Sequence, residues 1–198
     1  MDSPLGPLRH SVVRLHQLCR GLDDAQLGAP SYCTEWSIAD VLSHLGSGAV
    51  IQRRRLGDTL AGAETPDDVA PAVWDEWNAK SPRDKADSAL VADEALLEAL
   101  EALDPAERAR LVVSLGPLRM GFEEFAAMRL NEHACHTWDI EVTFDDGAHL
   151  PHDIAAVVVD NLGLTARYTA RPTGERRDVA VRTTDPARAF AVRLSAGV

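Results

Sequence analysis

The chain has 198 residues, 45% of them hydrophobic and 26% charged, with a formal net charge of -11. That length supports one good core and a small appendage in an ordinary globular composition. The acidic balance repels phosphate backbones and anionic lipid, which weighs against nucleic-acid and membrane-surface partners.

Residues 5 to 22 read as a first helix, with Leu8, Val12, Leu15, Leu18 and Cys19 at helical spacing and Gly21 at its end. A loop with Gly28, Pro30 and Ser31 follows. A second helix starts near Ser37, where Ser37 and Asp40 have the spacing of a capping box, and runs to about residue 60. Residues 66 to 80 carry Trp74 and Trp77 in a short helix or ordered crossover. Ser81-Pro82 opens a third helix with the apolar stripe Leu90, Leu97, Leu100 and Leu103, and Asp104-Pro105 ends it. Gly116-Pro117 keeps LVVSLGPLRMG from being one regular helix. A fourth long helix covers about 121 to 144 and a fifth about 152 to 170. Past the polar linker RPTGERRD, the runs VAVRTT and AFAVRL read as two strands joined through Asp185-Pro186.

The expected fold is therefore mainly α. It is an antiparallel four-helix bundle with extra helices over residues 1–170, followed over 171–198 by the linker and a short C-terminal β-hairpin. The longest apolar run, AAVVVDNLGL, is broken by Asp160 and Asn161 and spans no bilayer. The start MDSPLGPLRH has no basic segment leading into an apolar one, so a cytoplasmic protein is expected. Cys19, Cys33 and Cys135 are widely spaced with no C-x-x-C pair, which fits reduced thiols.

The fourth helix raises a question. Phe122, Phe125, Arg129, Glu132, His136, Ile140 and Thr143 recur at steps of three and four. The ends of this stripe are apolar, yet its middle is Arg, Glu and His. A buried carboxylate needs a partner, and Glu and His four apart point the same way. On the second helix His44 interrupts the apolar stripe Val41, Leu45, Gly48 and Ile51. Gly48 costs helix stability and is tolerable where it clears space. If the bundle brings His44 against Glu132 and His136, two imidazoles and one carboxylate make a three-ligand site for Zn²⁺, Ni²⁺, Fe²⁺ or Mn²⁺. Taken singly, a hydrogen-bonded core histidine and a surface Glu-His pair are the commoner outcomes.

The paired segments WSIADVLSHLG and RLNEHACHTWDI resemble the DinB-like, mycothiol-dependent maleylpyruvate isomerase family. The matching positions are Trp36, Ser37, Asp40, His44 and Leu45, then Glu132, His136, Trp138 and Asp139. The resemblance covers roughly residues 8 to 170. It implies the DinB-like bundle and places the metal ligands on His44, Glu132 and His136. It also implies a divalent metal, zinc first, with mycothiol or a related thiol as cosubstrate. The activity it implies is isomerisation or S-transfer on a small electrophile. In that family a larger α/β domain follows the bundle. Here the hairpin at 178 to 194 stands in its place, as the remnant or start of a small α/β domain. An isolated hairpin is marginal in water, so packing on the bundle or homodimer formation is expected.

Two other functions fit the same ligands: a metal-dependent hydrolase, and a non-catalytic metal-binding bundle that regulates a partner. Arg129 either clamps a substrate carboxylate as a catalytic residue or pairs with Glu132 or Glu124. Asp40 either caps its helix or orients His44. Trp138 is expected to pack between helices, and Asp139 to meet an arginine or orient a ligand. His133 lies about 100° around from Glu132 and is expected not to be a ligand. Cys135 is read as a small buried residue, His149 and His152 as solvated, and QRRRLG at 52 to 57 as a solvated helix end.

Overall fold

A computed structural model describes residues 3–169, 171 and 174–194. The chain divides into two compact units, Met1–His149 and Leu150–Val198. The domain boundary expected at residue 170 falls on a residue outside those described, as do two residues of the expected linker.

The first unit is a four-helix bundle built from α1 (Leu5–Cys19), α3 (Ile38–Leu60), α5 (Pro82–Glu101) and α7 (Phe122–Glu141). α3 packs on α5, α5 on α1, α1 on α7, and α7 returns to α3. The core is the apolar stripe of each helix. Leu8, Val12 and Leu15 of α1, Leu42 and Leu45 of α3, Leu96, Leu97 and Leu100 of α5, and Phe125 and Leu130 of α7 are all nearly inaccessible. Each such side chain contributes about 1.5–3 kcal/mol on removal from water.

Capping residues set where these helices begin. Ser37 and Asp40 form the expected capping box at α3. Ser81 caps α5 with Pro82 in its first turn. Asp104 and Glu107 form another box, so Pro105 both follows the end of α5 and opens the short helix α6 (Pro105–Arg110). α1 stops at Cys19, earlier than expected, because its last turn tightens through Gly21 N to Leu18 O. Asp23 then caps the four-residue α2 (Asp24–Leu27) with Gln26, an element the sequence reading passed over as loop.

The Trp74–Trp77 segment forms α4 (Val69–Asn78). Trp77 is buried against α3, and a Cβ added at Gly46 would sit 2.2 Å from its ring. The irregular LVVSLGPLRMG is a tight hairpin of β1 (Val113–Leu115) and β2 (Leu118–Met120), with Gly116 at φ 56. α7 ends at Glu141, not near residue 144, where Phe144 N and Asp145 N close turns on Glu141 O.

In the second unit the expected fifth helix is two helices, α8 (His152–Asp160) and α9 (Leu162–Thr169). The break falls at Asn161, a poor helix former, whose N–H bonds back to Val157 O. β3 (Arg177–Thr184) and β4 (Ala187–Leu194) pair antiparallel from Arg177–Leu194 to Thr184–Ala187, joined through Asp185-Pro186 as expected. Among the described residues no helix is long and apolar enough to cross a membrane, and the three cysteines are unpaired thiols.

Candidate metal centre

His44 lies in the second turn of α3, after the Ser37–Asp40 cap. Asp40 bonds to Ser37 and, through Oδ1, to Lys85 Nζ at 2.8 Å, not to His44. Burial pushes its carboxyl up, but the Lys85 and Ser37 hydrogen bonds outweigh that and hold it below the usual carboxylate range. Its task is to start α3 and tie it to α5.

α7 contributes Glu132 and His136. His44 Nε2 lies 3.1 Å from Glu132 Oε2, and His136 Nε2 lies 3.9 Å from the same oxygen. One donor atom from each of the three residues falls within 4.8 Å of the other two. These two edges bracket the roughly 3.3 Å between ligand atoms around a tetrahedral ion with bonds of about 2 Å. The His44 hydrogen bond, against the opposing effect of burial and with help from His136, holds Glu132 below its ordinary value, so it is charged at neutral pH.

The group is shallower than the apolar stripes on α3 and α7 implied. The three side chains are 39%, 49% and 20% exposed, so the group sits at the bundle's edge and not among apolar neighbours. The buried face of α7 runs through Phe125, Ala126, Arg129, Leu130, His133, Ala134, Thr137 and Ile140. Successive residues turn by about 100°, so Glu132 and His136 flank that face.

His136 is oriented from behind. Its Nδ1 lies 2.8 Å from Asp139 Oδ2, which leaves Nε2 free to face Glu132. The Cys33 thiol donates to the same carboxylate oxygen at 3.1 Å. Burial, with Asp139 beside it, pushes that thiol up to about 12. Cys33 belongs to the loop before α3, which is fastened to α7 by Tyr32 N to Asp139 O at 3.2 Å. Glu35, at φ 70, turns this loop so that Trp36 lies beside both imidazoles, 5.3 Å from the His44 ring and 6.3 Å from His136. Trp36 is 39% exposed.

The family model for the mycothiol maleylpyruvate isomerase N-terminal domain matches residues 8–141. The chain belongs to that family. Among solved structures, the crystal structure of the mycothiol-dependent maleylpyruvate isomerase is similar with a TM-score of 0.74 at 16% identity, covering 98% of this chain and 80% of that one. A histidine-to-alanine mutant of that isomerase matches equally well. At this identity the likeness is one of fold. No curated protein gives a significant match.

Within this member of the isomerase family, Arg129 is not where a substrate clamp was expected. It is 3% exposed and pairs with Asp93 of α5, not with Glu132 or Glu124. It also donates to Leu45 O at 3.0 Å, and a Cβ at Gly48 would meet its Nη1 at 3.3 Å. Gly48 thus clears space for this guanidinium. Asp93, Arg129 and His133 form a buried polar group with Ser11, whose Oγ lies 2.7 Å from His133 Nδ1. His133 Nε2 lies 3.3 Å from Asp93 Oδ2 without hydrogen-bond alignment. Burial pushes Asp93 up, but the Arg129 guanidinium outweighs that and holds it below the usual range. Burial also lowers His133, against the pull of Asp93, so it is neutral.

Cys135 is exposed, a correction to the buried reading, because it turns away from the α7 core face. Trp138 Nε1 donates to Ala148 O at 2.8 Å and its ring meets Tyr32 edge-on at 5.0 Å, so it packs on the flanking loops. His149 and His152 are exposed, the latter 2.7 Å from Asp185. In QRRRLG, Arg54 pairs with Asp58 one turn on. Neither the place of Cys33 behind His136 nor the buried Asp93 group was expected from the sequence. Asp93 had a readable signal: it interrupts the α5 stripe between Leu90 and Leu97, as His44 interrupts that of α3.

Proposed function

We propose that the chain is a cytoplasmic metal-dependent enzyme that uses a low-molecular-weight thiol of the mycothiol type. Its reaction is isomerisation or S-transfer on a small electrophilic substrate. Membership of the isomerase family supports this reading. The observation that carries it is the convergence of His44, Glu132 and His136, from two separate helices, on one point at the accessible edge of the bundle. Bound there, a divalent ion, zinc in our reading with nickel, iron and manganese as the other candidates, would acidify a thiol and supply a thiolate at neutral pH.

The chain's own residues set the conditions for that chemistry. Asp139 holds the proton of His136 on Nδ1, so Nε2 is available as a ligand. Glu132 is ionised, which neutralises part of a divalent charge. Trp36 presents a partly exposed apolar ring beside both imidazoles, shielding one side of the site from water and offering a flat surface to substrate. Arg129 takes no part in substrate binding, since it is enclosed with Asp93.

The test is metal content by elemental analysis, with turnover of electrophiles measured with and without added thiol. His44→Ala and His136→Ala should each lower the metal content while circular dichroism keeps its helical signal. Full metal occupancy in both variants refutes the ligand set. Turnover that needs no thiol assigns the chain to hydrolysis instead.

A further inference from the structure

We propose a second cation site, made of Cys33 Sγ, His136 Nδ1 and Asp139 Oδ2, that takes a thiophilic divalent ion and shares His136 with the first site through the opposite ring nitrogen. The three atoms form a closed triangle. Cys33 Sγ lies 3.1 Å from Asp139 Oδ2 and 3.7 Å from His136 Nδ1, and His136 Nδ1 lies 2.8 Å from Asp139 Oδ2. Around a tetrahedral ion with a sulfur bond of about 2.3 Å and nitrogen and oxygen bonds of about 2.0 Å, the corresponding edges are roughly 3.3–3.6 Å. Each observed edge needs to change by less than about 0.8 Å by that geometry.

The residues are partly accessible, so an ion has a way in. They also come from two segments that are already fastened together, the loop before α3 and the second half of α7, by Tyr32 N to Asp139 O. The set is therefore held in place before any ion arrives. The chemistry differs from that of the first site. One thiolate, one imidazole and one carboxylate favour soft or borderline ions such as Cd²⁺ and Zn²⁺ over Mg²⁺ and Mn²⁺. The donors now share two protons, the S–H and the ring N–H, both directed at one carboxylate oxygen. Binding releases them to solvent and lets the ion take their place. With both sites filled, the His136 ring is an imidazolate bridging two ions. This site rests on the proposed function only in sharing His136.

The test is a Cd²⁺ titration of chelator-treated full-length protein, following the ultraviolet sulfur-to-cadmium charge-transfer band and counting bound ions by equilibrium dialysis. The expected result is two ions per chain with a band in the wild type. Cys33→Ser, a near-isosteric change, should lose the band and one ion. His44→Ala should lose one ion and keep the band. Absence of a band in the wild type, or a band that survives Cys33→Ser and so arises at Cys19 or Cys135, overturns the second site. A His44→Ala protein that keeps both ions refutes the first ligand set while leaving the Cys33 site supported by its band.

Discussion

Replacing Asp93 with asparagine keeps the shape of the side chain and removes its charge. In the folded protein Asp93 is fully enclosed and Arg129 is 3% exposed, so the substitution leaves a guanidinium with no anion and almost no water. Leu45 O still accepts from it at 3.0 Å, but one neutral carbonyl does not balance a full charge. Breaking a buried pair in this way costs about 3–5 kcal/mol. At about 2–4 °C per kcal/mol for a chain of this size, the melting temperature should fall by roughly 6–20 °C. The assay is urea unfolding followed by far-ultraviolet circular dichroism, where the midpoint should drop with the slope unchanged. The double change Asp93→Leu with Arg129→Met removes both charges together and should recover most of the loss. A single variant that loses less than about 1 kcal/mol, the range of an exposed pair, would refute the claim that this ion pair is desolvated.

Stability should also fall as pH drops below about 6.5, the ordinary histidine value. The unfolded chain then takes up a proton that the folded His133 refuses until its own lowered value is reached. Asp93, Asp40 and Glu132, all held below their usual range, add a further loss on titration through their folded values at still lower pH. A urea midpoint that is flat or rises between about pH 7.5 and 5.5 would contradict the buried neutral imidazole. Asp139→Asn, made with Cys33→Ser so that only the His44 set is counted, should weaken metal binding about 10–100-fold by dialysis, with little change in melting temperature. Gly46→Ala drives a Cβ to 2.2 Å from the Trp77 ring and should cost about 1–3 kcal/mol, read as a lower urea midpoint with Trp77 fluorescence shifted toward that of exposed indole.

The bundle was legible because each long helix carries its own start signal and its own stripe. Ser37 and Ser81 act as caps where the sequence placed them, and Leu45, Leu97 and Leu100 are enclosed as their spacing required. The convergence of His44 with Glu132 and His136 was legible for a different reason. Polar groups of ligand type interrupt apolar patterns on two helices, and the family motif joins the two segments. Depth was not legible. A stripe drawn in steps of three and four tolerates an error of a third of a turn, which separates the enclosed His133 from the half-exposed Glu132 beside it. The same tolerance hid the partner of Arg129. Local sequence offered Glu132 and Glu124, within reach along one helix, whereas Asp93 lies 36 residues away on α5 and meets it only through tertiary packing. Cys33 was hidden more completely. It lies in a loop with no periodicity to interrupt, and its place behind His136 depends on the turn at Glu35 and on the bond from Tyr32 N to Asp139 O. Side chains on helices announce themselves by violating a pattern. Side chains on loops do not, so here the sequence exposed the His44–Glu132–His136 group and concealed the residues that hold it in place.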